Sequence, residues 1–189
     1  MNSEVFRRST IKKQLEITLD WDLIVIGGGA TGLGIALDGI SRGYKTLLLE
    51  QADFSKGTSS RSTKLLHGGV RYLAQGNIDL VIEALYERDI LLKNAPHLAK
   101  NQSFIIPAYS WWNLVFYSIG LRVYDFLSGK LSLGKSKFIS KSKTLERIKT
   151  INSNKLKGGV IYQDGQFNDS RLAINIAQTC IEHGATILN

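Results

Sequence analysis

Between Thr58 and Arg71 the chain gathers the groups that a phosphate-bearing ligand with a planar ring would need. Thr58, Ser59, Ser60, Ser62 and Thr63 bring five hydroxyls, Lys64 and Arg71 bring cations, His67 an imidazole, and Gly68-Gly69 a bare stretch of backbone. Hydroxyls and backbone N–H groups can solvate a diphosphate and a polyhydroxylated linker. A Gly-Gly pair can lie flat against a ring, and the planar fork of Arg71 can grip a phosphate through two bonds. A polar surface loop would account for the serines but not for the whole ordered combination.

A second group precedes it. Gly27, Gly29 and Gly32 fit G-x-G-x-x-G, and Glu50 follows Gly32 by 18 positions. In that pattern the first glycine permits a tight turn, the second lets backbone approach a pyrophosphate, and the third lets a helix pack closely on a strand. The acid about 20 residues on holds a ribose hydroxyl. The residues between them supply the frame. Leu23 to Ile26 is a continuous aliphatic run, as a strand buried on both faces requires. Leu33, Leu37 and Ile40 recur at helical spacing, Gly43 is placed to end that helix, and Lys45 to Leu49 read as a second strand. A pyrophosphate would sit at the helix N-terminus, where unpaired N–H groups and the dipole favour anions. An acid at position 50 argues against a 2′-phosphate and hence against NADP, while the fingerprint itself leaves NAD and FAD both open.

The 189 residues suffice for one well-buried domain, up to one and a half. A single cysteine, Cys180, excludes an internal disulfide or a cysteine-based metal cluster, and its helical setting among Ile176, Ala177 and Ile181 reads as a small buried hydrophobe. The first 20 residues contain no run of apolar residues that would make a signal peptide. Ile11, Leu15 and Leu19 instead give one face of a short basic amphipathic helix. The cytoplasm is therefore the default location.

Charge is unevenly spread. From Arg122 to Lys157 ten Lys/Arg face two acids, Asp125 and Glu146, which accounts for the whole formal excess of +8. Just upstream, Phe104 to Leu127 is rich in aromatics, but Asn113, Arg122 and Asp125 interrupt it short of the roughly 20 clean apolar residues of a membrane span. Two readings stand: a core helix followed by a solvated basic loop, or a peripheral contact with anionic lipid on the inner face of the cell membrane. The charge alone would also suit nucleic acid, but no recognition motif accompanies it, and no nucleic-acid partner is expected. Oligomeric state is left open.

Further along, Asn77 reads as the N-cap of a long helix with Ile78, Val81, Ile82, Leu85 and Leu92 on one face and Pro96 beyond its end. A short strand, Gly159 to Tyr162, is expected to precede a turn at Asp164-Gly165. A last helix from Asp169-Ser170 carries Leu172, Ile176 and Ile181 to Gly184, and Ala185 to Leu188 read as a strand. A two-strand Rossmann start normally continues with further strands, so a larger fold is expected around this one.

The strings IGGGATGLG, RGYKTLLLEQADFSKGTSSRSTKLLHGGVRYL, EALYERDILLKNAPHL and YQDGQFNDSRLAINIA make the chain after residue 20 resemble the FAD-dependent glycerol-3-phosphate dehydrogenases, including the related α-glycerophosphate oxidases. The resemblance implies an α/β architecture: a Rossmann-like FAD-binding fold of the glutathione-reductase and D-amino-acid-oxidase type, incomplete at the C-terminus. Residues 1–20 would be an extension, and 21–189 the amino-terminal part of the cofactor domain, with a helical, aromatic and basic insertion at about 77–157. It implies that Gly27, Gly29 and Gly32 carry the FAD pyrophosphate, that Glu50 holds the adenosine ribose, and that Thr58, Ser59 and Ser60 line the pyrophosphate and ribityl region. Ser62, Lys64, His67, Gly68 and Gly69 would lie along the flavin. Arg71 and Tyr72 would face the substrate, Arg71 towards its phosphate. His67 is a candidate acid or base, with a hydrogen-bonded structural histidine as the alternative.

The implied reaction is oxidation of glycerol 3-phosphate to dihydroxyacetone phosphate, with hydride passing to flavin N5 and electrons onward to quinone, or to oxygen in the oxidases. The basic, aromatic segment favours quinone. Two other readings remain: an NAD-dependent Rossmann dehydrogenase, which leaves GTSSRSTKLLHGGVRYL without a role, and a truncated chain with no catalytic function.

Overall fold

The computed structural model of the chain describes residues 4–73 and 75–189, with Arg71 described by its backbone alone. In chain order its elements begin with helix α1 (Arg8–Ile17), strand β1 (Leu23–Ile26), α2 (Ala30–Ser41), β2 (Thr46–Leu49), β3 (Leu65–Leu66), α3 (Val70–Leu73) and α4 (Ile78–Asn94). They continue with β4 (Ala99–Ala108), α5 (Trp111–Ser128), β5 (Lys137–Ser140), α6 (Lys141–Arg147), β6 (Gly158–Phe167), α7 (Asp169–Glu182) and β7 (Thr186–Leu188). The chain divides into two compact units: Met1–Lys64 with Asn168–Asn189, and Leu65–Phe167.

The first unit is built on a parallel sheet of order β1-β2-β7. Leu23, Ile24, Val25 and Ile26 stand beside Thr46, Leu47, Leu48 and Leu49, and Leu48 stands beside Ile187. Because side chains alternate between faces along a strand, Val25, Leu48 and Ile187 form one row. Leu33 and Ala36 of α2 and Ala173, Ala177 and Cys180 of α7 pack on it as a buried core. Small residues on both helices let them approach the sheet closely. Leu33 and Leu48, each fully buried, contribute about 1.5–3 kcal/mol apiece by leaving water. Cys180 is a buried packing residue, as its neighbours predict.

The opposite face departs from expectation. The run Leu23–Ile26 predicts a strand covered on both sides, yet Ile24 is 55% and Ile26 88% exposed. The reason is the layering. Helix α1 lies against the edge strand β7, and Leu47 and Thr186 are buried, but β1 is the other edge strand and nothing described in this unit covers its second face.

The second unit is organised around β6, a ten-residue strand. Strand β4 runs antiparallel along its whole length, from Ala99 beside Phe167 to Ala108 beside Gly158. The strands β3 and β5 pair with successive parts of β6 as well. Asp164-Gly165, predicted as a turn, therefore lies inside a strand. Its local turn preference is overridden by pairing with Gln102 and Asn101 on one side and, at Gly165, with Leu66 on the other.

The aromatic run also divides, into β4 and α5, broken at Tyr109-Ser110, where the Ser110 hydroxyl accepts from the Asn113 N–H and caps the helix. Helix α5 buries Leu114 and Leu121 against Ala108 and Val160 of the sheet, and Tyr124 against Val81 and Leu85 of α4. Helix α4 starts at its Asn77 cap as predicted, but its buried stripe is Val81, Leu85 and Arg88, while Ile78 and Ile82 are exposed.

Candidate functional site

The first unit forms a cradle at the carboxyl end of β1. Gly27 takes φ +112°, a conformation that side chains rarely adopt, and its N–H donates to the Leu49 carbonyl at 2.8 Å. A Cβ on Gly32 would collide with the Gly27 carbonyl oxygen, so the third glycine is what lets α2 rest directly on the turn. Gly29 is the N-cap residue of α2, and no side chain of its own occupies the cap. Helix geometry leaves the first-turn N–H groups without intrahelical partners, and the dipole adds about half a positive charge there. One of them, Ala30 N–H, donates to the Ser59 hydroxyl at 2.8 Å. Ser59 belongs to a single 3₁₀ turn, Thr58–Ser60, which brings the hydroxyl run to the end of the helix.

Glu50 closes the cradle. Its carboxylate accepts from Gly28 N–H at 2.6 Å and from Ala52 N–H at 2.8 Å. These two bonds, Gly28 first, hold its carboxyl below the usual carboxylate range. A carboxylate has about four acceptor positions, so lone pairs remain for a ribose hydroxyl. A helix end stripped of side chains, flanked by hydroxyls and closed by an ionised acid, fits the diphosphate and ribose of a dinucleotide.

Ser62 and Lys64 are held by a residue that the motif does not contain. The Asp169 carboxylate, buried at the start of α7, accepts from the Ser62 hydroxyl at 2.7 Å and from Lys64 Nζ at 2.7 Å. Lys64 and then Ser62 hold the Asp169 carboxyl far below its ordinary value, against the opposing effect of burial. Lys64 adopts a positive φ of +58°, which costs about 1–2 kcal/mol for a residue with a side chain. Its ammonium stays half exposed.

The rest of the motif lies in the second unit. His67 is exposed and meets the Tyr72 ring edge-on at 6.5 Å between centroids. Gly68 and Gly69 are both buried, Gly68 against Leu85, Tyr124 and Arg88, and Gly69, at φ +85°, against Val81. Tyr72 is half-buried, and its N–H donates to the Gly69 carbonyl at 2.8 Å. Arg71 lies in α3, but its side chain falls outside the described residues.

Under this turn sits a buried ion pair. Arg88 Nη1 donates to Asp164 Oδ1 at 3.0 Å and to the Tyr124 hydroxyl at 2.9 Å, and Nη2 donates to the Leu131 carbonyl at 2.7 Å. Asp164 also accepts from Gly68 N–H, at 3.0 Å to Oδ1. Burial, then the Asp164 charge, pushes the Tyr124 phenol well above its ordinary value, so it stays protonated.

The sequence motifs gave no role in the site to Asp164, Asp169, Arg88 or Tyr124. One signal was present: Arg88 continues the helical stripe of Val81 and Leu85, and a cation on an apolar stripe needs a buried counter-charge.

Residues 22–189 match the FAD dependent oxidoreductase family. The chain is 46% identical to the mitochondrial glycerol-3-phosphate dehydrogenase of Mus musculus over 100% of its own length and 27% of that protein's. It is 46% identical to the corresponding Saccharomyces cerevisiae protein, over 98% of this chain and 30% of the relative. The crystal structure of the glycerol-3-phosphate dehydrogenase from Bacillus halodurans complexed with FAD superimposes with a TM-score of 0.67 at 32% identity, over 98% of this chain and 29% of that one. The chain thus spans somewhat more than a quarter of the length of the curated relatives it matches.

Proposed function

This chain belongs to the FAD dependent oxidoreductase family, and we propose that the protein carrying it oxidises sn-glycerol 3-phosphate to dihydroxyacetone phosphate with FAD as cofactor. The likeness to dehydrogenases of that name along the full length of the chain carries this reading. It leaves no place for an NAD-dependent Rossmann dehydrogenase. In this proposal residues 21–189 are the amino-terminal part of the cofactor domain, 1–20 an extension and about 77–157 an insertion.

FAD, when bound, supplies the hydride acceptor at flavin N5. The chain's own residues bind and orient. First-turn N–H groups of α2, beside Gly27, Gly29 and Gly32, take the pyrophosphate, and Glu50 takes the adenosine ribose. Thr58, Ser59 and Ser60 line the pyrophosphate and ribityl stretch. Ser62 and Lys64, fixed by Asp169, and His67, Gly68 and Gly69 border the flavin. Hydride can leave C2 only as the C2 hydroxyl gives up its proton, and the exposed imidazole of His67 is suited to take it. Arg71 and Tyr72 face the substrate, Arg71 gripping its phosphate.

Reducing equivalents pass to a quinone; the oxygen of the related oxidases is the alternative. No helix among the described residues is long and apolar enough to cross a membrane. We place the protein peripherally on an anionic membrane surface, facing the cytoplasm. The exposed Trp111, Trp112, Phe116 and Phe126 of α5 and the basic residues that follow support this.

The test uses the whole protein. Denaturation should release FAD, and glycerol 3-phosphate should reduce a soluble quinone analogue without added nicotinamide. Release of NAD, or the absence of glycerol 3-phosphate turnover in a flavin-loaded sample, would refute the proposal.

A further inference from the structure

We infer that the buried Arg88–Asp164 pair, completed by Tyr124, is a positioning device for the reaction: it fixes the His67–Gly68–Gly69 turn in the place from which that turn serves the cofactor and substrate. The inference rests on the function proposed above. Arg88 and Asp164 are both almost completely buried, at 1% and 2% exposure. Replacing such a pair with apolar residues of similar volume is often neutral or stabilising, because two charges must be stripped of water to form it. Stability alone is therefore a weak reason for it.

What the pair does hold is specific. The Gly68 N–H donates to both Asp164 oxygens, at 3.0 and 3.3 Å, and the Gly165 N–H donates to Oδ1 at 3.0 Å. Gly68 lies so close that a Cβ there would collide with the Tyr124 hydroxyl and come within 3.0 Å of Arg88 Nη1. The turn is thus held from two sides, pulled by the carboxylate and stopped by the guanidinium and phenol.

Asp164 itself cannot swing. Its strand pairs with β4 at Gln102, and Arg88 is braced by Tyr124 and by the Leu131 carbonyl. Two helices, a strand and the 3₁₀ turn Gly129–Leu131 therefore converge on one amide. The polypeptide on either side of that amide carries His67 and Tyr72, whose own N–H rests on the Gly69 carbonyl. A misplacement of about 1 Å in a positioned group can cost on the order of a hundredfold in rate. Asp164, Arg88 and Tyr124 are buried beneath the turn and act through it, and all three are positioning residues.

The test compares the whole FAD-loaded protein with Asp164→Asn and with the double variant Arg88→Met/Asp164→Leu, which removes both charges together. Three readings are taken: hydrogen exchange of the peptide covering residues 66–73, the visible absorption and circular dichroism of the flavin, and kcat and KM for glycerol 3-phosphate. Exchange in that peptide should rise at least tenfold in both variants, with protection elsewhere in α4 and β6 retained. The flavin bands should shift, and kcat should fall roughly ten- to a hundredfold while KM changes less. Unchanged protection of residues 66–73 in a folded variant overturns the inference. A released turn with an unaltered flavin spectrum and kcat also overturns it, and places the turn away from the cofactor. If the double variant fails to fold, Asp164→Asn alone decides by the same readings. A parent protein that holds no FAD defeats the proposed function instead, and the exchange measurement still reports on the turn.

Discussion

Two residues carry the sharpest expectations. Arg71 is assigned to the phosphate of the substrate because its planar fork matches phosphate oxygens in a way that lysine cannot reproduce. In the whole enzyme Arg71→Ala should raise KM for glycerol 3-phosphate while flavin content stays near that of the parent. Losing one charge-assisted contact costs about 1.5–3 kcal/mol, hence roughly ten- to a hundredfold in kcat/KM. Loss of flavin with KM retained on reconstitution would make Arg71 structural. Asp169 is the second. Its folded carboxyl titrates far below the unfolded value of about 3.9, because Lys64 and Ser62 hold the ionised form. A depressed value means that the stability it adds is complete above the unfolded value and is lost as pH falls towards the folded one. The stability gap between parent and Asp169→Asn should be constant from pH 8 down to about 5 and should narrow below about 4. Denaturant unfolding across that range measures it, and a gap that widens in acid contradicts the assignment.

At the scale of elements, the contact between α2 and the glycine turn is the most exacting. Gly32→Ala would press a methyl group into the Gly27 carbonyl and lift the helix from β1. The whole protein should bind FAD at least roughly tenfold more weakly, since the N–H groups proposed to receive phosphate move with the helix. Equilibrium dialysis against FAD measures this; affinity equal to the parent's would show that the helix end is not the phosphate site. This β1–α2–β2 unit was legible because every signal in it is local: an aliphatic run, three glycines, a 3.6-residue stripe and a helix end at Gly43. Elements set by distant partners were not. Asp164-Gly165 carries a strong turn preference, and only its pairing with β4 and β3 and the buried Arg88 make it mid-strand. Likewise Ser62 and Lys64 were legible as members of a polar motif. Their attachment to Asp169 spans more than a hundred residues of sequence and left no periodic trace.

At the scale of the molecule, much apolar surface is uncovered. Helix α5 carries apolar residues well beyond its buried stripe: beside the exposed Asn113 and Arg122 it shows water Trp111, Trp112, Val115, Phe116, Ile119 and Phe126. A soluble helix normally shows water a polar face. With the neighbouring excess of lysine and arginine, this side should give salt-sensitive binding to anionic vesicles. Co-sedimentation at low and high salt tests it, and equal partitioning to neutral and anionic vesicles would remove the electrostatic part. The second bare surface is the free side of β1, and its consequence is one of handedness. The path from β1 to β2 to β7 steps the same way across the sheet each time, and right-handed crossovers set α2 and α7 on one common side. A parallel strand joining at β1 would reverse the step, and its right-handed connection would fall on the other side, over Ile24 and Ile26. Open α/β sheets take up ligands where that reversal occurs, outside the carboxyl ends of the strands. Here that place is Gly27. The chirality of the backbone thus dictates that any parallel strand added at β1 brings its covering layer from the Ile24–Ile26 side, next to the glycine turn.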